Sequence, residues 1–257
     1  MNYHRNILTL VGLGILSVGS ILQAEAMNVL ENPILEINRI HNAIKIDGNL
    51  TELEWGKAKG TDYFLEIEPG ENIIPAEKTE VKVAYDDKNL YVAFWAFADP
   101  KDIRASFQKR DQAWMDDFVA IFLDTYGDAN TGTMIGANPY GIQMDAKNNG
   151  GGDDDPTFDL VYESKGMITD EGYQVEMAIP FSSLSFPDKE VQEWKVGFYR
   201  SLPREKRSQI IWGGFDRTNP CFLCQMGTLI GIQGIKQRGS FEFLPAIVGS
   251  QVSELDQ

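Results

Sequence analysis

Five residues in the middle of the chain have side chains suited to a neutral ligand that carries hydroxyl groups. Arg110, Asp111 and Trp114 precede an apolar run, and Asn138 and Gln143 follow it. An indole ring can stack on a flat apolar face of a ligand, while guanidinium, carboxylate and amide groups hydrogen-bond its hydroxyl groups. The five side chains could bind one ligand only if they lie together on a preformed concave surface. The structural alternative is that Trp114 packs at the rim of the fold and Arg110 pairs with Asp111.

The apolar run at residues 118–123 must position these side chains. Carboxylates bound it at Asp116, Asp117 and Asp124. Six apolar residues between charged ends indicate a central β-strand that is covered on both faces, because the run is too short for a helix. The ends of the strand must surface where the carboxylates are hydrated or bound.

Two acidic loops contain residues that could bind a cation. Asp124 and Asp128 lie in one loop, and Asp153 and Asp155 lie in another. Calcium takes six to eight oxygen ligands, mainly from carboxylates, carbonyls and water. A structural calcium ion is therefore one expectation, although the spacing is not that of an EF-hand. The alternative is that both loops are simply solvated.

The only two cysteines, Cys221 and Cys224, form a C-x-x-C pair. In an exported protein such a pair is expected to form a disulfide. Zinc needs about four ligands, and His41 is the only histidine beyond the first 26 residues. Several glycines follow the pair, which argues against the helix that a thioredoxin-like motif requires. We expect a structural disulfide, with an inert thiol pair as the alternative.

The chain divides into four predicted segments. Residues 1–26 have a weakly basic start, an apolar run and small residues at a cleavage site, which predicts a signal peptide and export, with an uncleaved membrane anchor as the alternative. Residues 27–33 are a predicted linker, and residues 34–232 are the predicted domain. Residues 233–257 are predicted to begin a further region that is truncated. The expected location is the periplasm, the outer membrane or the extracellular space.

Alternating apolar and polar residues predict many short strands and almost no helix. Predicted strands cover residues 34–40, 44–46, 78–86, 90–97, 118–123, 133–137, 140–145, 158–164, 172–179, 194–200, 208–212 and 227–232. Thr51 and Glu54 predict a capping box that starts a short helix, on which Trp55 would close one end of the core. The expected fold is an all-β antiparallel β-sandwich of jelly-roll or immunoglobulin-like type, with few short helices.

Charge and composition argue against two classes of function. The chain has 23 basic and 38 acidic residues and a net charge of -15, so it lacks the basic surface that nucleic acid requires. A catalytic triad needs a histidine, and His41 lies in a strand–turn context. Asp116 and Asp117 are adjacent and point to opposite faces of a strand, so they cannot flank one glycosidic bond. No catalytic residue is predicted.

Four segments together resemble one family. They are residues 46–58, 81–92, 116–124 and 172–180, and they are similar to family 9 carbohydrate-binding modules and their DOMON-type relatives. The resemblance implies a β-sandwich in which two tryptophans clamp a sugar and calcium ions brace the loops. Trp114 falls where the first tryptophan is expected, and Asn138 falls near a polar sugar contact. Ala120 and Gly136 depart from the pattern, because a glutamate and an arginine are expected there.

The second clamping tryptophan has two candidates, Trp194 and Trp212. Residues 110–112, 138–141 and 220–224 resemble large exported bacterial proteins in which such a domain precedes a predicted outer-membrane barrel of unknown function. The tail would then start that barrel. The expected function is a non-catalytic carbohydrate-binding module associated with glycan catabolism or uptake. The alternatives are a structural, plug-like periplasmic domain and, third, an O-glycosyl hydrolase.

Overall fold

Fourteen strands and one short helix make up the part of the chain that the computed structural model describes, residues 32–149 and 154–237. The strands are β1 Ile34–Glu36, β2 Lys59–Thr61, β3 Phe64–Glu68, β4 Thr79–Tyr85, β5 Asn89–Phe97, β6 Phe118–Asp124, β7 Thr131–Ala137, β8 Gln143–Asn149, β9 Asp154–Asp155, β10 Glu163–Thr169, β11 Gly172–Pro180, β12 Val191–Pro203, β13 Arg207–Trp212 and β14 Gly227–Gln233. The helix is α1 Leu53–Lys57, and 3-10 turns cover Pro100–Asp102, Phe181–Ser183 and Leu223–Gln225. The predicted signal peptide, most of the predicted linker, Asp153 and the chain after residue 237 lie outside the described residues. No helix within the described ranges combines the length and apolar character needed to cross a membrane.

The strands form two sheets that pack as a sandwich. The larger sheet has the order β1-β14-β12-β6-β7-β8-β9, and β13 links β12 to β3. The smaller sheet has the order β10-β11-β5-β4-β2. All neighbouring strands are antiparallel except β1 and β14. The predicted all-β antiparallel sandwich is confirmed, with this one parallel pair added.

Strand β6 lies in the middle of the larger sheet, between β12 and β7. Its seven residues are all buried. Val119, Ile121 and Leu123 point into the core between the sheets, while Phe118 and Phe122 belong to an apolar cluster on the outer face. The prediction of a central strand covered on both faces is confirmed, and the outward cluster is the part that leads to a site.

A segment at the N-terminal end of the described chain covers the outer face of the smaller sheet. Trp55 on α1 is 1% exposed and packs there with Ile40 and Ile44. Its Nε1 donates to Glu176 Oε1 at 2.8 Å. Gly48 N donates to Glu176 Oε2 at 2.7 Å, and a second backbone N–H reaches the same oxygen. Burial raises the pKa of the Glu176 carboxyl, and these donors oppose the shift. Trp55 is buried as expected, but the prediction that it closes one end of the core is wrong, because it packs on the outer face of the smaller sheet and not between the sheets.

The predicted capping box is wrong. The N-cap of α1 is Glu52, and its side chain makes no capping hydrogen bond. Glu54 instead accepts a hydrogen bond from Asn42 Nδ2 at 2.7 Å. The carboxylate therefore fastens an upstream segment to the helix rather than capping it.

Two predicted strands begin later than the alternation suggests. Residues 158–162 do alternate in burial, but they form no ladder, and β10 begins at Glu163. Strand β8 begins at Gln143 because a turn occupies residues 138–142, closed by the Gly141 N–H bond to Asn138 O at 2.8 Å. Strands β2, β3 and β9 were not predicted, and residues 44–46, which were predicted as a strand, form none.

Candidate functional site

Arg110, Asp111 and Gln143, three of the five predicted ligand-binding residues, come together. Arg110 Nη1 donates to Gln143 Oε1 at 2.8 Å, and its guanidinium pairs with Asp145 and, at 2.9 Å, with Asp159. Asp111 has a φ of 59°, and its Oδ1 accepts from Asp145 N at 3.0 Å. We call Arg110, Asp111, Gln143, Asp145 and Asp159 the arginine cluster. Burial raises the pKa of the Asp145 carboxyl, and Arg110 opposes that shift.

Side chains of the arginine cluster make the backbone hydrogen bonds that a neighbouring strand would otherwise make. Arg110 Nη2 donates to Leu160 O at 2.7 Å, and Gln143 Nε2 donates to Tyr162 O at 2.7 Å. Leu160 N donates in turn to Asp145 Oδ2. These side chains thus bond backbone N–H and C=O groups of residues 158–162, the segment that was wrongly predicted as a strand. The guanidinium is therefore occupied by groups of the protein itself.

Asn138 is fully buried at the end of β7. Its Nδ2 donates to Ser106 O and to Asp116 Oδ2, both at 2.9 Å. Its Oδ1 accepts from Tyr140 N at 3.0 Å and from Ile142 N at 2.9 Å. Because every hydrogen-bonding position of the amide is used, Asn138 offers no group to a ligand in this structure.

Trp114 lies apart from the arginine cluster. Its half-buried ring meets Phe118 edge-on, with centroids 6.0 Å apart and planes at 90°. It packs against the outer cluster of the larger sheet together with Met144. Successive side chains of a strand point to opposite faces of the sheet. Met144 on β8 therefore points to one face, and its neighbours Gln143 and Asp145 point to the other. The five predicted residues therefore do not form one site.

Trp114 is the first ring of a continuous series on the outer face of the larger sheet. The series, which we call the aromatic row, consists of Trp114, Phe118, Tyr199, Phe122, Phe222 and Phe215. Neighbouring centroids lie between 4.9 and 6.0 Å apart. The row joins a loop, two central strands and a second loop into one apolar surface.

A groove with a volume of about 380 Å³ follows the aromatic row, and every ring of the row except Trp114 lines it. Polar side chains border it on the side of β13 and β3. Tyr199 Oη donates to Gln209 Oε1 at 2.9 Å, and Gln209 Nε2 donates to Glu68 Oε2 at 2.7 Å. Burial raises the pKa of Tyr199 to about 12, so its hydroxyl stays protonated at neutral pH. Arg217 adds an exposed side chain whose Nη2 donates to backbone carbonyls of the β3 end.

The loop between β13 and β14 forms one wall of the groove. It carries Phe215 and Phe222, and Cys221 and Cys224 within it are joined in a disulfide. Asn72 fixes the start of the loop, since it donates to Phe215 O at 2.9 Å and accepts from Phe215 N at 2.8 Å. Gln225 Nε2 donates to Cys221 O at 3.2 Å and holds the other end.

The family is settled by a sequence model. The model described as "Carbohydrate family 9 binding domain-like" matches residues 46–207, more than half of the chain. The chain belongs to this family. A comparison with curated proteins gives no match.

Three solved structures share the fold of this family 9 domain. A proposed carbohydrate-binding protein from Bacteroides uniformis has a TM-score of 0.62 at 15% identity, and the match covers 78% of this chain and 99% of that one. A family 9 carbohydrate-binding module from Caldicellulosiruptor kristjanssonii, in complex with cellotriose, has a TM-score of 0.54 at 17% identity over 83% of this chain and 98% of that one. The same kind of module from that organism in complex with glucose gives 0.51 at 18% identity over 82% and 100%.

The two departures from the family pattern lie next to each other on the groove side of the larger sheet. Ala120 on β6 pairs with Gly136 on β7, and Ala120 belongs to the outer apolar cluster. A Cβ added at Gly136 would lie 2.8 Å from Val119 O and 3.0 Å from the Ala120 Cβ. This family 9 domain thus has an apolar surface where charged side chains are expected from the resemblance.

Neither candidate for the second clamping tryptophan is available to a ligand. Trp194 is fully buried and its Nε1 donates to Gln192 Oε1 at 3.2 Å. Trp212 is also buried, with its centroid 5.2 Å from that of Phe198 in the core. Both candidates are wrong, because alternation along β12 and β13 turns these rings between the sheets.

Three of the four predicted calcium ligands, Asp124, Asp128 and Asp155, lie within the described residues, and hydrogen bonds from the protein itself occupy them. Asp124 is fully buried, and its oxygens accept backbone N–H groups from Tyr126, Gly127 and Ala129 at 2.8 to 3.1 Å. Asp128 accepts from Asn130 N at 3.0 Å, and this hydrogen bond lowers the pKa of the Asp128 carboxyl. Each carboxylate thus closes its own turn.

Asp155 accepts from Thr157 N at 3.0 Å and from Thr157 Oγ1, which lowers the pKa of the Asp155 carboxyl. Within residues 32–149 and 154–237, the one group of three acidic side chains close enough to share a cation is Asp111, Asp145 and Asp159. The Arg110 guanidinium already provides the positive charge there. Calcium binding stays a prediction that these residues do not favour.

Sequence reasoning missed most of the groove. Tyr199, Gln209, Phe215 and Phe222 lie far along the chain from Trp114 and were not predicted as ligand contacts. One signal was present, because the uninterrupted apolar run at residues 118–123 requires a second apolar partner on the outer face. The loops that supply this partner are not recognisable from local pattern.

Proposed function

We propose that this domain binds carbohydrate, without catalysis, in the groove along the aromatic row. The observation that carries the proposal is the row itself, since five of its six rings line a groove that has hydrogen-bonding side chains along one edge. A pyranose has an apolar CH face and a ring of hydroxyl groups. Aromatic rings contact the former, and amide, carboxylate and phenol groups hydrogen-bond the latter.

The polar edge is suited to hydroxyl groups. The chain of hydrogen bonds from Tyr199 through Gln209 to Glu68 fixes three side chains in one orientation. Gln209 is partly buried and Glu68 is exposed, so unused lone pairs of the carboxylate face solvent. A preordered edge loses little side-chain entropy when a ligand binds.

The comparisons support the ligand class. The two structures of Caldicellulosiruptor kristjanssonii modules hold cellotriose and glucose. We propose a role in glycan catabolism or uptake, as the resemblance of its segments implies.

We also propose that the chain is exported. Support comes from the apolar N-terminal run that ends in small residues, and from the disulfide between Cys221 and Cys224, a bond that persists in oxidising compartments. We propose a C-terminal outer-membrane barrel as a partner, and hence a location at the outer membrane. The support is the resemblance of the segments around Arg110, Asn138 and the cysteine pair.

Isothermal titration tests the proposed function. Monosaccharides and hexasaccharides of glucose, xylose and mannose are titrated into the wild type and into Tyr199→Ala, Gln209→Ala and Leu53→Ala. We expect at least one sugar to bind, Tyr199→Ala to weaken it about 5-fold or more, and Gln209→Ala to weaken it less. Leu53 is 80% exposed on α1, so Leu53→Ala is expected to match the wild type.

Circular dichroism and urea unfolding on each variant separate loss of binding from loss of folding. The absence of binding by the wild type to every sugar would contradict the proposal. Full affinity in both folded groove variants would contradict the choice of site.

A further inference from the structure

Phe107 and Tyr140 form an exposed aromatic pair outside the groove. Their rings are stacked, with centroids 4.1 Å apart and planes at 7°, and Phe107 is 80% exposed. The other aromatic pairs within the described residues are tilted or edge-on. One face of Phe107 rests on Tyr140, which leaves the opposite face open to solvent.

We propose that the open face of Phe107 is a second sugar contact, and that the ligand of this domain is an oligosaccharide or polysaccharide chain that reaches beyond the groove. This inference rests on the proposed function and extends it. It assigns Phe107 as the stacking surface and Tyr140 as the ring that orders it.

A buried network holds the pair in place. Ser106, next to Phe107, donates through its backbone N–H and its Oγ to Asp116 at 2.8 to 2.9 Å. Asn138 Nδ2 donates to Ser106 O, and Asn138 Oδ1 accepts from Tyr140 N. The two aromatic residues are thus fixed through neighbours whose polar groups are satisfied below the surface. A ring ordered before binding costs less entropy than a free one.

The position of the pair suits a ligand that leaves the groove. Strand β6 begins at Phe118 and the antiparallel strand β7 ends at Ala137, so both flanking loops lie at the same end of the larger sheet. The loop before β6 carries Phe107 as well as Trp114, the end ring of the aromatic row. Gln108, exposed beside Phe107, donates to Ser106 Oγ at 3.2 Å and has a free amide oxygen for a hydroxyl group.

Two other occupants fit this surface less well. A stable protein interface buries roughly 1,000 Å² or more, and one exposed ring with its stacked neighbour covers a small part of that area. Anionic membranes attract basic surfaces, whereas the chain has a net charge of -15. A flat CH face of a sugar matches one open ring face in both size and charge.

The test compares short and long sugars on matched variants of the full chain. Glucose, xylose, mannose and their hexasaccharides are titrated into the wild type, Phe107→Ala, Phe107→Trp and Leu53→Ala, a control of equal exposure. We expect Phe107→Ala to weaken binding of the hexasaccharide by about 2- to 12-fold, the range of one aromatic contact. Binding of the monosaccharide should not change. Phe107→Trp should keep hexasaccharide affinity.

Each other outcome has a defined meaning. Equal hexasaccharide affinity in Phe107→Ala and the wild type would overturn the second contact and leave the groove proposal standing. Equal weakening of the monosaccharide would place Phe107 in the groove and overturn the second contact too. A wild type that binds no sugar would overturn both proposals.

Discussion

The outer faces of the two sheets carry similar aromatic residues and differ in what covers them. On the smaller sheet, the segment with α1 buries Trp55, and Glu176 accepts the hydrogen bond of its indole. On the larger sheet, loops close only the borders, and five of the six rings of the aromatic row line a groove. The covered face satisfies its polar groups internally, as a core does. The open face keeps aromatic surface and hydrogen-bonding groups available to a ligand.

A second contrast lies within the larger sheet. The arginine cluster has the charged groups that a sugar site would use, yet each is engaged with another part of the chain. The aromatic row is less polar and remains accessible. Residue type alone therefore does not identify a binding site, because a guanidinium that could bind a ligand can instead hydrogen-bond the protein's own backbone.

The largest expected effect is on the covered face. Trp55→Ala removes a fully packed indole and leaves Glu176 without one donor, so we expect a loss of about 3 to 5 kcal/mol in the free energy of unfolding. Urea unfolding followed by circular dichroism measures it. Sugar affinity of the folded fraction should stay at the wild-type value. A strong loss of affinity with little loss of stability would reverse the roles assigned to the two faces.

Replacement of Arg110 separates the arginine cluster from the aromatic row. Arg110→Ala removes the donor to the buried Asp145 Oδ1 and to Leu160 O, and we expect a loss of roughly 2 to 3 kcal/mol in stability. Arg110→Lys, the matched control, keeps the charge but not the forked geometry and should recover part of it. Sugar titration should show unchanged affinity. If Arg110→Ala is stable but binds sugar weakly, the cluster contacts the ligand after all.

Trp114 tests how far the binding surface extends. Trp114→Ala should cost about 1 kcal/mol in stability, since the ring is half-buried. It should lower sugar affinity by about 2- to 12-fold if its contact resembles other aromatic contacts, and Trp114→Phe should retain most of that affinity. Tryptophan fluorescence during titration adds a direct readout. Unchanged affinity in both variants would restrict the binding surface to the rings from Phe118 onward.

The smallest expected effect is a pH dependence at Glu176. Because burial raises the pKa of this carboxyl in the folded state, its contribution to stability is complete below the unfolded pKa of about 4.3. The contribution is lost as pH rises through the raised value. The stability of the wild type relative to Glu176→Gln should therefore fall from pH 4 upward. The opposite slope in urea unfolding would mean that the three N–H donors outweigh burial and keep the carboxylate ionised.

The sequence predicts well where burial and alternation coincide. Strand β6 and the hairpin of β4 and β5 were predicted within two residues, because apolar runs there are bounded by carboxylates or turn residues. Residues 158–162 show why the rule fails elsewhere. Their alternation reflects real burial, but side chains of the arginine cluster, rather than a neighbouring strand, satisfy their backbone.

The candidate site was harder to predict than the fold. Trp114 was found because the resemblance includes its position, and it does lie on the aromatic row. Asn138 has a suitable amide, but a buried turn uses all of it, and no local pattern reveals that. Phe215 and Phe222 reach the groove through a loop whose path depends on Asn72, more than 140 residues earlier in the chain.

The disulfide has a practical consequence for anyone who prepares this protein. Cys221 and Cys224 are three positions apart, so the bond restricts the unfolded chain only slightly, and we expect both sheets to form without it. The same bond lies beside Phe222 in a wall of the groove. Material made in a reducing cytoplasm can thus be folded and homogeneous while the groove is poorly shaped, and a count of free thiols should accompany any binding assay.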